Sequence, residues 1–374
     1  MEAHQDVVRE RPPRITTHRV RAAILAIVIG LVALEAGSYI VLRFVFRVPM
    51  ERGGNKPIPH IWLPGDGRLP FRMKTNYTER HHTDEFDTTI RLNNVGMRED
   101  TDYTGEHVNI GVIGDSFTFG WGVNVGERYS DVLRTFFPDR LIRSYGYLAG
   151  LAPPHYYLFL KYHPEYIPDT LILGLLPVND LDIDMRDTLM QVDAHGEPIA
   201  ASLTLRYVTA DGALGVGRDP ARVSPFLRPL VTSYTGKLLW LGKQQLTSMW
   251  NQEWQHAGSR DGTTATALPT VQRDALSYVT RLRDLVRAKG GTMIVFLIPV
   301  ERELVDHPSP MWEPVKAWLR DHDVAFIDPV EAFAAREREG ERLYYKKDGH
   351  WNANGHRLAA ALIADYIQRS GHHD

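Results

Sequence analysis

A serine and an acid–histidine pair are the residues of this 374-residue chain whose types and spacing best suit chemistry. Ser116 follows Gly114-Asp115, directly after an apolar run. Asp348 and His350 lie two residues apart near the C-terminus. A carboxylate that accepts a hydrogen bond from imidazole Nδ1 leaves Nε2 available as a base. A serine hydroxyl needs such a base to become a nucleophile, so these three residues are candidates for nucleophilic catalysis.

Each of these residues also has a structural interpretation. Ser116 could cap a helix that follows the strand, and Asp-Gly is a common turn. In an extended backbone the side chains of Asp348 and His350 would point the same way past Gly349, and we expect that geometry here. A metal site would require more ligands than His356 and scattered acids supply, so we predict neither a metal nor a cofactor.

Strands and helices alternate around these residues, which favours a three-layer α/β/α fold with a parallel sheet and helices on both faces. Ser116 follows the first predicted strand, at the carboxyl edge where open α/β sheets place ligands. Short apolar runs rich in β-branched residues predict the strands. The predicted strands are 107–113, 140–145, 170–174, 292–298 and 324–327.

Two blocks interrupt this alternation. One carries turn-forming Gly and Pro and is predicted as a lead-in of short strands. The other has hairpin signals at 193–196 and 211–212, a helical stretch over 227–250 and a polar loop over 252–270, and we interpret it as an inserted cap. The predicted divisions are a tail (1–21), a transmembrane segment (22–46), the lead-in (47–105), a catalytic domain (106–186 and 270–374) and the cap (187–269).

The N-terminal region predicts a single membrane-spanning helix. Residues 22–46 are largely apolar and about long enough to cross a bilayer. A cleaved signal peptide would use the shorter core Ala22–Leu34 and end near Ala36. We favour a permanent anchor, because apolarity resumes after Ser38 and no clear Ala-x-Ala site is present. Glu35 opposes insertion by ~2–3 kcal/mol if it lies centrally.

The arginines of residues 1–21 predict a cytoplasmic tail, which would put the bulk of the chain on the periplasmic or extracellular side. The formal net charge of −3 shows no basic excess, so nothing favours a nucleic-acid partner. The absence of cysteine excludes disulfides and thiol catalysis. The partner predicted from the apolar segment 22–46 is the lipid bilayer.

Four blocks in order resemble the SGNH (GDSL-type) hydrolases, a family of serine esterases and acyltransferases. They are Gly114-Asp115-Ser116, a glycine after the second strand (Gly146), the pair Asn179-Asp180 after the third, and Asp348 with His350. The resemblance implies an SGNH-like fold with Ser116 as nucleophile, His350 as base and Asp348 orienting it. It also implies an oxyanion hole made by the N–H groups of Ser116 and Gly146 and the side-chain amide of Asn179.

This chain departs from the common pattern in two places. Many members have Asp-x-x-His, whereas the closer Asp348-Gly349-His350, followed by Trp351, is similar to the branch that acetylates or deacetylates cell-surface polysaccharides. Ser144 stands where an asparagine often precedes the glycine of the second block. Trp121, Arg98 and Trp351 are candidate substrate contacts. The aromatic faces of the two tryptophans suit sugar rings, and burial in the core is their equal alternative. Arg98 could instead form a structural ion pair.

The resemblance predicts a serine esterase that acts on O-acyl, most simply O-acetyl, esters of a glycan outside the cytoplasm. One alternative is an O-acyltransferase that moves the acyl group onto a polysaccharide and is supplied by a membrane acyl-donor partner. Another is a non-catalytic carbohydrate-binding protein on the same fold.

Overall fold

The computed structural model describes residues 17–41, 59–147, 151–204, 206–216, 224–226, 233–236, 238–239, 268–305 and 311–371. The chain divides into two compact units. The smaller comprises 1–52 and 220–261, and the larger comprises 53–219 and 262–374. The block predicted as one cap is therefore shared between the two units.

Helix α1, Thr17–Ile40, belongs to the smaller unit. Among the described residues, Arg21–Ile40 is the one helix long and apolar enough to cross a membrane. Its apolar side chains are exposed, as a lipid-facing helix requires. Residues 42–46 of the predicted span lie outside the described part of the chain.

The lead-in of the larger unit forms two antiparallel hairpins. Strand β1 (Trp62–Pro64) pairs with β2 (Phe71–Met73), and β3 (Tyr77–His82) pairs with β4 (Asp87–Leu92). The predicted lead-in of short strands therefore matches the secondary structure of its described residues.

The remaining described strands are β5 (Ile110–Gly114), β6 (Ile142–Gly146), β7 (Thr170–Leu175), β8 (Thr188–Val192), β9 (Pro198–Leu203), β10 (Arg206–Val208), β11 (Leu214–Val216), β12 (Thr292–Leu297) and β13 (Ala325–Ile327). Five of them form a parallel sheet in the order β13-β12-β7-β5-β6. Along the chain this is the order 2-1-3-4-5, whose switch point for ligands lies between its first and third strands. Here that point lies between β5 and β7, so the parallel sheet is confirmed and its ligand edge is located.

Alternation along the strands gives the sheet two apolar faces. Val112 and Ile172 pack into one cluster, whereas Ile113 and Leu173 pack into the other. Because every second residue of a strand points to the same face, near-continuous apolar runs such as β7 must be buried on both sides.

The further described helices are α2 (Ser116–Phe119), α3 (Tyr129–Phe136), α4 (Pro153–Tyr162), α5 (Asp184–Asp187), α6 (Thr270–Arg287), α7 (Glu301–Val305), α8 (Trp312–Asp321), α9 (Val330–Arg338) and α10 (Ala353–Arg369). Helix α4 packs on α6, and α3 packs on α10. Leu276 of α6 lies in the cluster of Leu173, and Ile363 of α10 in that of Ile172, so helices cover both faces.

The predicted hairpins of the insertion are present as β8–β9 and β10–β11, both antiparallel. They belong to the larger unit. The helical stretch 227–250 and the loop 252–270 lie mostly outside the described residues.

Candidate active site

The turn after β5 presents Ser116 at the carboxyl edge of the sheet. Asp115, not Ser116, caps α2, because its Oδ1 accepts a hydrogen bond from the N–H of Phe117 at 2.9 Å. Gly120 ends this single helical turn with φ of 81°, a left-handed conformation that favours glycine. The capping role is thus taken by the neighbour, which leaves the Ser116 hydroxyl for other partners.

Asp348 and His350 lie in a tight turn between α9 and α10. The N–H of Tyr345 donates to the carbonyl of His350 at 2.8 Å, and Gly349 has φ of 82°. The expected extended backbone at this point is therefore wrong. The turn still brings the two side chains together, since glycine allows the left-handed conformation that reverses the chain.

The two loops meet in a continuous hydrogen-bonded chain. Ser116 Oγ lies 2.8 Å from His350 Nε2, and His350 Nδ1 is hydrogen-bonded to Asp348 Oδ1. The Asp348 side chain is 3% exposed and that of His350 is 24% exposed. A buried carboxylate behind a partly open imidazole is the arrangement that lets a histidine accept a serine proton.

Two further side chains hold Asp348. Trp121 Nε1–H donates to Asp348 Oδ2 at 3.1 Å. Glu85 Oε2 accepts from the backbone N–H of Asp348 at 2.8 Å, and both its oxygens accept from the N–H of Lys347. The carboxylate that faces His350 is therefore positioned from a loop after α2 and from the β3–β4 turn.

The predicted oxyanion residues lie on the strands beside β5. Gly146 ends β6 directly opposite Gly114, and a Cβ there would come within 2.4 Å of the N atom of Phe119. Asn179 follows β7 and begins a π-helical turn, half-buried. Both neighbours of β5 thus place their predicted residue at the edge that carries Ser116. The oxyanion role of each stays a prediction.

Arg98 and Trp351 are enclosed, so their predicted contact with substrate is corrected. Arg98 is 2% exposed and donates to the carbonyl oxygens of Phe119, Gly120 and Val123, which form the loop after Ser116. Burial, and then the nearby charge of Arg128, lower its pKa to about 9. Trp351 has no exposed surface. Both side chains therefore support the site from inside the protein.

Trp121, the third candidate contact, is half-buried. Its ring meets His81 edge-on, with centroids 4.3 Å apart, and lies 5.9 Å from the ring of His350. Its nitrogen is engaged with Asp348, so the structure gives Trp121 a contact inside the site that the sequence did not predict.

Buried carboxyl groups lie beneath the Ser116 turn. Burial raises the pKa of Asp180 well above its ordinary value, and the nearby Asp115 raises it further. The pKa of Asp115 is raised in the same way, by burial first and then by Asp184. Within the described ranges, no group of three or more acidic or histidine side chains is placed to hold a metal ion.

Sequence reasoning missed Glu85 and the hydrogen bond from Trp121. Glu85 belongs to no motif and reaches Asp348 across more than 260 positions of sequence. A glutamate in a turn carries no signal of such a contact. Trp121 lies five residues after Ser116, which indicated that it is close to the site. Its position fitted a contact with a sugar and burial in the core equally well.

Comparison with known proteins gives one family match. Residues 270–374 match the family model described as "SGNH hydrolase-like domain, acetyltransferase AlgX". This stretch contains Asp348 and His350 and does not include Ser116. No curated protein matches the chain.

Solved structures with similarity include a member of the lipolytic G-D-S-L family from Veillonella parvula, with 13% identity and a TM-score of 0.38, covering 70% of this chain and 99% of that one. A GDSL-like lipase from Bacteroides thetaiotaomicron has 11% identity and a TM-score of 0.35, covering 72% and 92%.

The fold is identified from the family match and the sheet topology, not from these distant structures. The matched stretch supplies β12, β13 and the loop of Asp348, and these strands continue the sheet of β5, β6 and β7. Residues 270–374 are similar to an SGNH hydrolase-like domain, and the chain has an SGNH-like fold with a parallel sheet flanked by helices.

Proposed function

We propose that this protein is a membrane-anchored serine esterase that cleaves O-acyl, most simply O-acetyl, esters of a glycan outside the cytoplasm. The observation that carries the proposal is the 2.8 Å contact between Ser116 Oγ and His350 Nε2, backed by Asp348. The family match supports an ester-acting enzyme, either an esterase or an acyltransferase. The glycan is inferred from the similarity of the Asp-x-His-Trp segment to polysaccharide-modifying enzymes.

In the proposed mechanism, Ser116 Oγ attacks the ester carbonyl carbon as its proton moves to His350 Nε2. Asp348 stabilises the imidazolium that forms. The oxyanion would be bound by the N–H groups of Ser116 and Gly146 and by the Asn179 amide, each donor contributing a factor of about 10²–10³ in rate. Collapse breaks the C–O bond, and His350 returns the proton to the departing alcohol. Water then attacks the acyl-serine by the same steps.

Replacing the nucleophile tests this mechanism directly. We expect Ser116→Ala to reduce hydrolysis of an aryl acetate by more than about a thousandfold, because no other group replaces the nucleophile. Ser277→Ala is the matched control, since that hydroxyl donates to the carbonyl of Asp274 within α6. A fluorophosphonate probe should label the unmodified protein at Ser116. Unchanged turnover in Ser116→Ala, or no labelling, would favour the non-catalytic binding protein.

A second candidate function is transfer of the acyl group to a polysaccharide hydroxyl. It is favoured by the description of the matched family model as an acetyltransferase. The same residues serve both reactions, since only the group that attacks the acyl-serine differs. In this alternative a membrane partner would deliver acyl groups to Ser116.

Acceptor dependence separates the two reactions. The full chain is given an aryl acetate with and without a soluble polysaccharide, and the acetyl group is followed by NMR. An esterase releases acetate at the same rate in both cases. A transferase produces acetylated polysaccharide at the expense of free acetate.

The proposed anchor is α1, with the catalytic unit on the periplasmic or extracellular side. Its support is the apolar length of Arg21–Ile40 and the arginines that precede it in sequence. Carbonate extraction of membranes that contain the full chain should leave it in the pellet, whereas release into the supernatant would contradict the anchor.

A further inference from the structure

Glu35, the acidic residue within α1, is paired inside the smaller unit. Its carboxylate accepts hydrogen bonds from the N–H of Tyr234 at 2.6 Å, from the N–H of Thr235 at 3.1 Å and from Thr235 Oγ1 at 2.9 Å. Ser38 Oγ lies 3.1 Å from the same hydroxyl. One side chain of the apolar helix thus holds residues about 200 positions away in sequence.

Aromatic packing extends the contact. The rings of Tyr39 and Tyr234 meet edge-on, with centroids 5.1 Å apart. Glu35, Ser38 and Tyr39 lie three or four positions apart and so share one face of α1. Within the apolar stretch 22–40 of α1, this face carries the polar side chains, and residues 234 and 235 contact it.

The depth of the contact follows from helix geometry. Glu35 lies five residues before Ile40, which is about 8 Å along the helix axis. If α1 crosses the bilayer, this point is within the hydrocarbon. Tyr234 and Thr235 must then lie at a similar depth, because direct hydrogen bonds join them to Glu35.

The sequence that follows Thr235 is apolar enough to lie in the hydrocarbon of a bilayer. Leu238-Leu239-Trp240-Leu241 is apolar, and Leu239 is 65% exposed within the protein. Lys237 is the one charged residue between Ser233 and Gly242.

We propose that the described residues 233–236 and 238–239 form a second membrane-embedded segment, docked on Glu35 in the half of the bilayer that holds the C-terminal end of α1. Its partner is the lipid bilayer, which contacts Leu239. The inference rests on the proposed anchor and not on the esterase activity. It also accounts for Glu35, which pairs with backbone N–H groups instead of facing lipid alone.

The same contact argues against a cleaved signal peptide. Removal near Ala36 would take Glu35 away from Tyr234 and Thr235 and leave their N–H groups without this acceptor. A helix that forms hydrogen bonds with residues about 200 positions away is expected to stay in the mature protein.

Spin labels on the full chain in phosphatidylcholine–phosphatidylglycerol vesicles test the proposal. The chain has no cysteine, so a single-cysteine variant carries one label. Leu239→Cys is compared with Leu31→Cys in α1 and with Leu189→Cys, which is 56% exposed in β8 of the larger unit. We expect the ratio of collisions with oxygen to collisions with a water-soluble nickel chelate to be several-fold higher at 239 than at 189, as at 31.

Removing the acceptor should release the segment. With Glu35→Ala or Thr235→Val, the oxygen-to-nickel collision ratio of the label at position 239 should fall towards that at position 189. The ratio of the label at position 31 should stay high. Gly37→Ala is the control, since an added Cβ there meets no atom within 4 Å.

Either of two results overturns the proposal. One is a label at 239 that behaves like the label at 189 in the otherwise unchanged chain. The other is a label at 239 that stays in the membrane when Glu35 is removed. A water-like label at 31 would overturn the anchor as well. Loss of aryl acetate hydrolysis bears only on the esterase.

Discussion

Trp121 joins the turn that carries Ser116 to the loop that carries Asp348. Its backbone N–H donates to the carbonyl of Ser116 at 3.0 Å, and its indole N–H donates to Asp348 Oδ2. The other oxygen of that carboxylate faces His350. A hydrogen bond to a charged group typically contributes about 1.5–3 kcal/mol, so the indole helps to hold Asp348 in the orientation that His350 requires.

Trp121→Phe keeps an aromatic ring and removes the donor. We expect kcat/KM for an aryl acetate to fall by about ten- to a hundredfold, mainly through kcat, because the lost bond orients the base and does not bind substrate. Trp318→Phe is the control, since that ring stacks on His322 in α8.

A double-variant cycle separates this role from general packing. If Trp121 acts through Asp348, the loss in Trp121→Phe/Asp348→Ala should equal that in Asp348→Ala alone. Additive losses would mean that Trp121 acts by some other route.

At the scale of elements, the loop of Asp348 is held by the β3–β4 turn. Thr83 shapes this turn by accepting from the N–H groups of Glu85 and Phe86, both at 3.2 Å. Glu85 then accepts from two backbone N–H groups of the loop. The lead-in hairpin is therefore part of the site, although it comes before the first family block.

Glu85→Gln tests that contact against its neighbour Asp84→Asn. Asp84 pairs with the exposed ammonium of Lys347, at 3.3 Å, whereas Glu85 receives backbone donors. We expect hydrogen exchange at the amides of Lys347 and Asp348 to accelerate by about tenfold or more in Glu85→Gln, with a fall in kcat. Asp84→Asn should leave both unchanged, because exposed ion pairs contribute little. Equal effects of the two variants would contradict the role of Glu85.

At the scale of the whole molecule, buried imidazoles couple folding to pH. Burial, and then the charge of Arg128, lower the pKa of His356 to about 3. Burial lowers the pKa of His155 to about 4. The unfolded chain binds a proton at each site below about pH 6.5, and the folded protein does not. Each histidine therefore costs stability as the pH falls from 6.5 towards its folded pKa.

The buried carboxyls act in the opposite direction. The folded protein keeps a proton on Asp180 at pH values where the unfolded chain has released it, because the folded pKa is raised. Stability from this group is present below its ordinary pKa of 3.8 and is lost as the pH rises towards the folded value. The pH dependence of the free energy of unfolding thus combines the buried histidines with the buried carboxyl groups. Variants of single residues are needed to separate the two contributions.

His356→Gln isolates one imidazole. The substitution should destabilise the protein at pH 7, since Nδ1 accepts from the N–H of Tyr129 at 3.3 Å. The deficit should shrink by about 2 kcal/mol at pH 5, because the variant lacks a proton-binding site that favours unfolding. Urea unfolding at both pH values measures this. His195→Gln, in an exposed turn, should show no such change, and a pH-independent deficit for His356→Gln would contradict the assignment.

The sequence by itself determined the parallel sheet and supplied the candidates for the reactive groups. Short apolar runs such as 170–174 predicted strands buried on two faces, and the parallel order followed from their alternation with helices. The types of Ser116, Asp348 and His350 also limited the chemistry, because few sets of side chains can activate a hydroxyl. These are local properties, which depend on near neighbours in sequence.

Only the tertiary structure decided which partners each side chain has. Arg98 and Trp351 were candidates for substrate contact or for burial, and both are enclosed, because their neighbours come from distant segments. Asp348 and His350 meet through a left-handed Gly349 and not through an extended strand. Glu85 and Glu35 carry no motif, yet one holds the loop of Asp348 and the other holds residues 234 and 235. Such contacts depend on how separate elements pack, which sequence spacing does not encode.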